Sequence, residues 1–133
     1  LGLDAEARHI LQADHGGYIK MDGREVFKRA VRVMVDSAKR TLEQAKVRPD
    51  EVKLLVPHQA NIRIIQAACD RLGIDREKAA LVMHRTGNTS SASIPLALVD
   101  AIEQGRLEDG DLVLLAGFGA GMTWGSALIR WQT

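Results

Sequence analysis

The 133-residue sequence predicts a single α/β domain built on a mixed sheet of about four or five strands with about three helices. Three observations carry that expectation. Apolar residues recur at three-to-four-residue spacing in three separate stretches, short unbroken apolar runs lie between and after them, and glycine or proline marks most changes of pattern. Helices and strands that alternate along a chain build a layered sheet with right-handed crossovers.

The elements follow in order. Leu1 to Met21 has weak periodicity, and Gly16-Gly17 marks a turn. Asp22-Gly23 introduces a helix from about Arg24 to Gln44, with Phe27, Ala30, Val31, Met34, Ala38 and Leu42 on one face and Lys28, Arg32, Lys39 and Glu43 largely off it. Val52 to Val56 reads as a buried strand that Pro57 stops. Gln59 to Leu72 reads as a helix closed by Gly73, its inner face carrying Ile62, Ile65, Cys69 and Leu72. Ala79 to Met83 is expected to be a short strand. Pro95 fits only in a first helical turn, so the helix bearing Leu98, Val99 and Ile102 is expected to start at Ser90 to Ala92 and to end at Gly105. Two last strands, Leu112 to Gly117 and Met122 to Trp131, flank a glycine-rich loop.

Composition removes several classes of function. A charged fraction of 26% and a formal net charge of +1 give no basic face for nucleic acid. One cysteine, Cys69, rules out an internal disulfide and fits the cytoplasm. The first residues form no apolar run of the signal-peptide kind. Leu112 to Ile129 is uncharged, but four glycines interrupt it, so two strands and a turn are expected there and no membrane span.

The chemistry-bearing residues gather on strand-to-helix loops. His58 follows the strand Val52 to Val56, at the sheet edge where α/β folds collect ligands. If the following helix begins at Gln59, its positive end keeps the imidazole neutral and able to donate a hydrogen bond. Asn88 and its hydroxyl neighbours occupy a second such loop. Gly117-Phe118-Gly119-Ala120-Gly121 offers backbone N–H groups with few side chains in the way. Together these suit a developing enolate or tetrahedral oxygen. Each has a plainer alternative: His58 a satisfied strand-end histidine, Asn88 a turn or cap residue, the glycines a hairpin bulge.

Cys69 with His58 and an asparagine suggests a thiol protease, but eleven helical positions separate the first two. That is roughly 16 Å at about 1.5 Å per residue, so Cys69 is read as a core residue. His9, His15, His58 and His84 lack the paired spacing of metal sites, and no metal is expected.

Four motifs resemble the beta-ketoacyl-[acyl carrier protein] synthase III family, which has the thiolase fold: Met21-Asp22-Gly23-Arg24-Glu25-Val26-Phe27-Lys28, Pro57-His58-Gln59-Ala60-Asn61, Gly87-Asn88-Thr89-Ser90-Ser91-Ala92-Ser93, and Gly117-Phe118-Gly119-Ala120-Gly121-Met122-Thr123-Trp124-Gly125. They run in family order from about Tyr18 onward and match the carboxyl-terminal half of the fold; residues 1–17 then correspond to a variable loop segment. The resemblance implies a condensing enzyme that joins an acyl-CoA primer to malonyl-[acyl carrier protein] to start a fatty acid, with coenzyme A thioester as substrate and no bound cofactor. It implies that His58 and Asn88 polarise the malonyl thioester carbonyl during decarboxylation, and that the Ala120 N–H serves a second oxyanion hole. Gly23, Phe27, Ala60, Asn61 and Ile64 match the pantetheine and coenzyme A tunnel, and Phe118 a position beside the nucleophile. Lys28 and Arg63 match basic positions that face the carrier protein, or else they are solvated helix-face residues. The family's nucleophilic cysteine belongs to the amino-terminal half, so this stretch alone is expected to be inactive, with that half as its partner and a homodimer as the complete enzyme. The alternatives are an acyltransferase relative of the same fold and a non-catalytic module that binds coenzyme A or a carrier protein.

Overall fold

The Asp22 carboxylate starts the longest helix, α1 (Gly23–Ala45), by accepting from the Arg24 and Glu25 N–H groups, both at 3.1 Å. The computed structural model describes residues 1–13 and 15–132. Before α1 come β1 (Gly2–Leu3), a 3-10 stretch at Ala5–Ile10, β2 (Leu11–Ala13) and β3 (Ile19–Met21). The segment read as a variable loop therefore holds short regular elements, with Asp14 outside the described residues. After α1 come β4 (Leu54–Pro57), α2 (Ile62–Leu72), the single-turn α3 (Met83–Thr86), α4 (Ser93–Glu103), β5 (Leu112–Gly119) and β6 (Thr123–Arg130).

Four strands form one mixed sheet in the order β1-β6-β5-β4, with β4 parallel to β5 and the other pairs antiparallel. Strands β2 and β3 make a separate antiparallel pair. Side chains of β4 and β5 alternate between two apolar layers, as strand geometry requires. Leu55, Leu114 and Ala116 meet α1 and α2 through Val31, Met34, Ala38, Ile65 and Ala68. Leu54, Val56 and Val113 meet Ala97 and Ala101 of α4 on the opposite face. Both faces are covered, which is why β4 reads as a continuous apolar run. The outer side of α4 leaves Leu96, Val99 and Ile102 between 41% and 50% exposed.

Two sequence expectations need correction. The second helix begins at Ile62, not Gln59, because the Asn61 side chain caps it by accepting from the Arg63 N–H at 2.9 Å. Residues 79–83 do not form a strand. Ala79 makes only an isolated parallel bridge to Leu55, the Ala80 N–H donates to the Leu55 carbonyl at 2.8 Å, and Met83 already opens α3. The glycine ending holds as read: Gly73 closes α2 at φ 70°, in the left-handed region that disfavours a side chain.

Candidate active site

Pro57 is the last residue of β4, and the chain leaves the sheet at His58. The His58 N–H still donates to the Ala116 carbonyl at 2.8 Å, so the loop is anchored one residue beyond the strand. Its imidazole stands edge-on to the Phe118 ring, with centroids 5.5 Å apart and planes at 71°. Nδ1 lies 2.6 Å from Ser93 Oγ, and Nε2 has no hydrogen-bond partner among the described residues. Loss of water around the ring pushes its pKa below 6.5 and favours the neutral form. A lowered pKa agrees with the sequence reading, but the cause differs. With the helix starting at Ile62, the Ala60 N–H turns back to the His58 carbonyl and the Gln59 N–H to Ser93, so neither belongs to a helix end.

Asn88 comes forward just after α3, where Gly87 breaks the turn. Its Oδ1 accepts from the Ser90 N–H at 3.0 Å, which leaves the amide nitrogen as the end without a partner among the described residues. The turn-residue reading holds at Oδ1, and the amide nitrogen at the other end is chemically able to donate. Ser90 itself, two residues after Asn88, holds φ 53°, an uncommon left-handed backbone for a residue with a side chain.

These loops open on one cleft of about 1340 Å³. His58, Asn88, Phe118 and Ala120 line it together with Gly23, Phe27, Lys28, Ala60, Asn61, Arg63 and Ile64, so the residues to which the family resemblance gives a role border the same space. The glycine segment is less of a loop than expected, since Gly117 to Gly119 belong to β5 and the turn comes at residues 120–122. A Cβ at Gly117 would come into van der Waals contact with Ile94 Cδ1 at 3.4 Å and His58 Cβ at 3.7 Å, so this strand position packs directly against the histidine loop and α4. Phe27 carries the Arg63 guanidinium over its ring at 5.5 Å, and Lys28 Nζ pairs with Glu25 at 3.0 Å on an exposed surface.

Much of this geometry rests on the Gln59 side chain and on Ser93, to which the sequence motifs alone give no role. Gln59, fully buried, sends Nε2 to the Pro57 and Ala80 carbonyls at 2.8 and 3.1 Å and accepts the Val82 N–H at 3.0 Å through Oε1. It thereby ties the His58 loop to the segment that leads to Asn88. Ser93, also fully buried, joins the same loop to α4.

Cys69 is buried within the α1–α2 layer, and its thiol is pushed up to about 11, chiefly by burial and further by the Asp70 carboxylate. No cluster of three or more His, Cys, Asp or Glu that could hold a metal occurs among the described residues. No helix there is long and apolar enough to cross a membrane.

The family described as 3-oxoacyl-[acyl-carrier-protein (ACP)] synthase III C terminal matches residues 42–131. The beta-ketoacyl-[acyl-carrier-protein] synthase III of Listeria welshimeri is 51% identical, and the beta-ketoacyl-[acyl-carrier-protein] synthase III 1 of Halalkalibacterium halodurans 53% identical, each over 98% of this chain. The crystal structure of 3-oxoacyl-[acyl-carrier-protein] synthase III from Aquifex aeolicus superposes with a TM-score of 0.95 at 47% identity, again over 98% of this chain. In all three, the matched part is 42% of the relative's own length.

Proposed function

Because the chain belongs to the family of 3-oxoacyl-[acyl-carrier-protein] synthase III carboxyl-terminal domains, we propose that it supplies the decarboxylation half of a condensing enzyme that joins an acyl-CoA primer to malonyl-[acyl carrier protein] at the start of fatty acid synthesis. One observation carries the reading: a neutral histidine and an asparagine amide, thirty residues apart in sequence, border a single cleft with a ring nitrogen and an amide nitrogen that have no hydrogen-bond partner among the described residues. When the malonyl carboxylate leaves as carbon dioxide, its bonding electrons pass into the thioester as an enolate. His58 and Asn88 receive the charge that collects on the carbonyl oxygen. A neutral imidazole keeps its donor proton where an imidazolium would surrender one to the enolate.

The remaining assignments follow the same cleft. Gly23, Phe27, Ala60, Asn61 and Ile64 border the pantetheine arm, Phe118 lies toward the acyl group, and the Ala120 N–H serves the second oxyanion. Coenzyme A takes part as a thioester substrate, with no resident cofactor. The acyl-carrying cysteine comes from the amino-terminal part that the longer relatives possess, because Cys69 is buried and its thiol remains protonated at neutral pH. The complete enzyme works as a cytoplasmic homodimer.

The test is malonyl decarboxylation by the full-length protein that contains this chain. His58→Ala or Asn88→Ala should each slow it roughly a hundredfold, about 3 kcal/mol of barrier, while acyl transfer from the primer changes little. Equal losses in both half-reactions would reject the assigned roles, and wild-type protein without decarboxylation would leave an acyltransferase or a binding module.

A further inference from the structure

Ser93 is completely buried, and its hydroxyl has two hydrogen-bonding neighbours: His58 Nδ1 at 2.6 Å and the Gln59 backbone nitrogen at 3.2 Å. A backbone N–H can only donate, so Gln59 occupies one of the oxygen's lone pairs. The hydroxyl hydrogen is then left with a single acceptor among its partners, the imidazole. If Nδ1 carried the ring proton instead, Oγ would receive two donors while its own hydrogen, buried with the side chain, had no acceptor among the described residues.

We propose that Ser93 is a positioning residue that donates its hydroxyl hydrogen to His58 Nδ1 and so fixes the ring as the tautomer with its proton on Nε2, the nitrogen left to meet a group in the cleft. The choice of tautomer decides what the histidine can do. With the proton on Nε2 the ring donates to an oxygen; with the proton on Nδ1 it would present a lone pair, which repels an oxygen gaining negative charge. Gln59 enters the device twice. Its backbone occupies the competing lone pair on Ser93, and its side chain, bonded to Pro57, Ala80 and Val82, holds that backbone in place. The inference rests on the donor role proposed for His58, but its test does not use turnover.

The experiment is nitrogen NMR on the full-length protein with ¹⁵N-labelled histidine, at a pH where the ring is neutral, with His58 assigned by the signals lost in His58→Gln. A protonated, pyrrole-like Nε2 and an unprotonated, hydrogen-bonded Nδ1 are expected in the wild type. The reverse pattern overturns the proposal, whatever the decarboxylation assays show. In Ser93→Ala the averaged Nδ1 signal should shift toward the protonated value as the second tautomer becomes populated. Unchanged signals would also overturn it, and if that variant does not fold, the wild-type spectrum decides alone. Loss of decarboxylation in His58→Ala together with an Nδ1-protonated wild type would leave the catalytic reading standing and Ser93 out of it.

Discussion

His58 loses most of its water to Phe118, Ser93 and the end of β4, and that loss has a direction in pH. The folded ring's pKa lies below 6.5, so as pH falls the unfolded chain takes up the proton first. This residue's contribution to stability is therefore full above about 6.5 and is lost as pH drops from there toward the folded value. Denaturant midpoints measured from about pH 7.5 down to about pH 5 should fall more steeply for wild type than for His58→Gln, which has no proton to gain. Parallel curves would show that the ring titrates alike in both states. Cys69 gives a second expectation at this scale. With its thiol at about 11 and its side chain inside the α1–α2 layer, it should resist iodoacetamide at neutral pH until the protein unfolds, and acyl-CoA should leave no label on it. Rapid alkylation of the native protein would contradict the burial described above. The polar residues His58 and Asn88 could be picked out in the sequence because each sits where a strand or helix breaks. Their orientation could not, because it depends on Ser93 and Ser90, which meet them only in the fold.

Among the elements, the three longer helices were legible because each has one apolar face and a recognisable end: Asp22 before α1, Gly73 after α2, and Pro95 in the first turn of α4. The stretch 79–83 misled for a definite reason. Its apolar run looks like a strand, but the Ala80 carbonyl and the Val82 N–H, which a neighbouring strand would have engaged, are taken by the side chain of Gln59. A side chain replaces a ladder, and no periodicity reports that. Gln59→Leu should consequently leave the Pro57 and Ala80 carbonyls and the Val82 N–H without partners in a buried place. At about 1–3 kcal/mol for each unsatisfied group, partly relieved by water, a loss of roughly 2–5 kcal/mol is expected from urea unfolding. A smaller case marks the scale: Gly73→Ala must hold a side chain at φ 70° and should cost about 1 kcal/mol. If Gln59→Leu were the milder of the two, the bridging role would be wrong.

At the scale of the whole molecule, α1 and α2 cover one face of the sheet and α4 the other, and the cleft opens where the first pair meets the carboxyl ends of β4 and β5. Its rim carries Lys28 from α1 and Arg63 from α2. We propose that they face the acidic surface of a carrier protein. Arg63→Glu should then weaken use of carrier-linked malonyl much more than malonyl-CoA, and added salt should narrow the difference. An equal effect on both substrates would place Arg63 against the coenzyme A portion instead, a role its stacking on Phe27 also permits.

The parallel pairing of β4 with β5 also sets an order of assembly during synthesis. The strand that presents His58 has its hydrogen-bonding neighbour about half a chain downstream, and the His58 amide itself waits for the Ala116 carbonyl. Contacts so distant in sequence form late, whereas α1 and α2 can coil and meet as soon as both have been made. A nascent chain that has reached Gly105 but not β5 therefore carries two packed helices and a histidine loop that can meet Ala80, Val82 and Ser93 but lacks its anchor on Ala116. Leu54 to Val56, among the most apolar residues present, remain an open edge in that interval. The ribosome-bound intermediate thus has a window in which the strand that leads to His58 is a template for wrong pairing, and the arrival of β5 ends it.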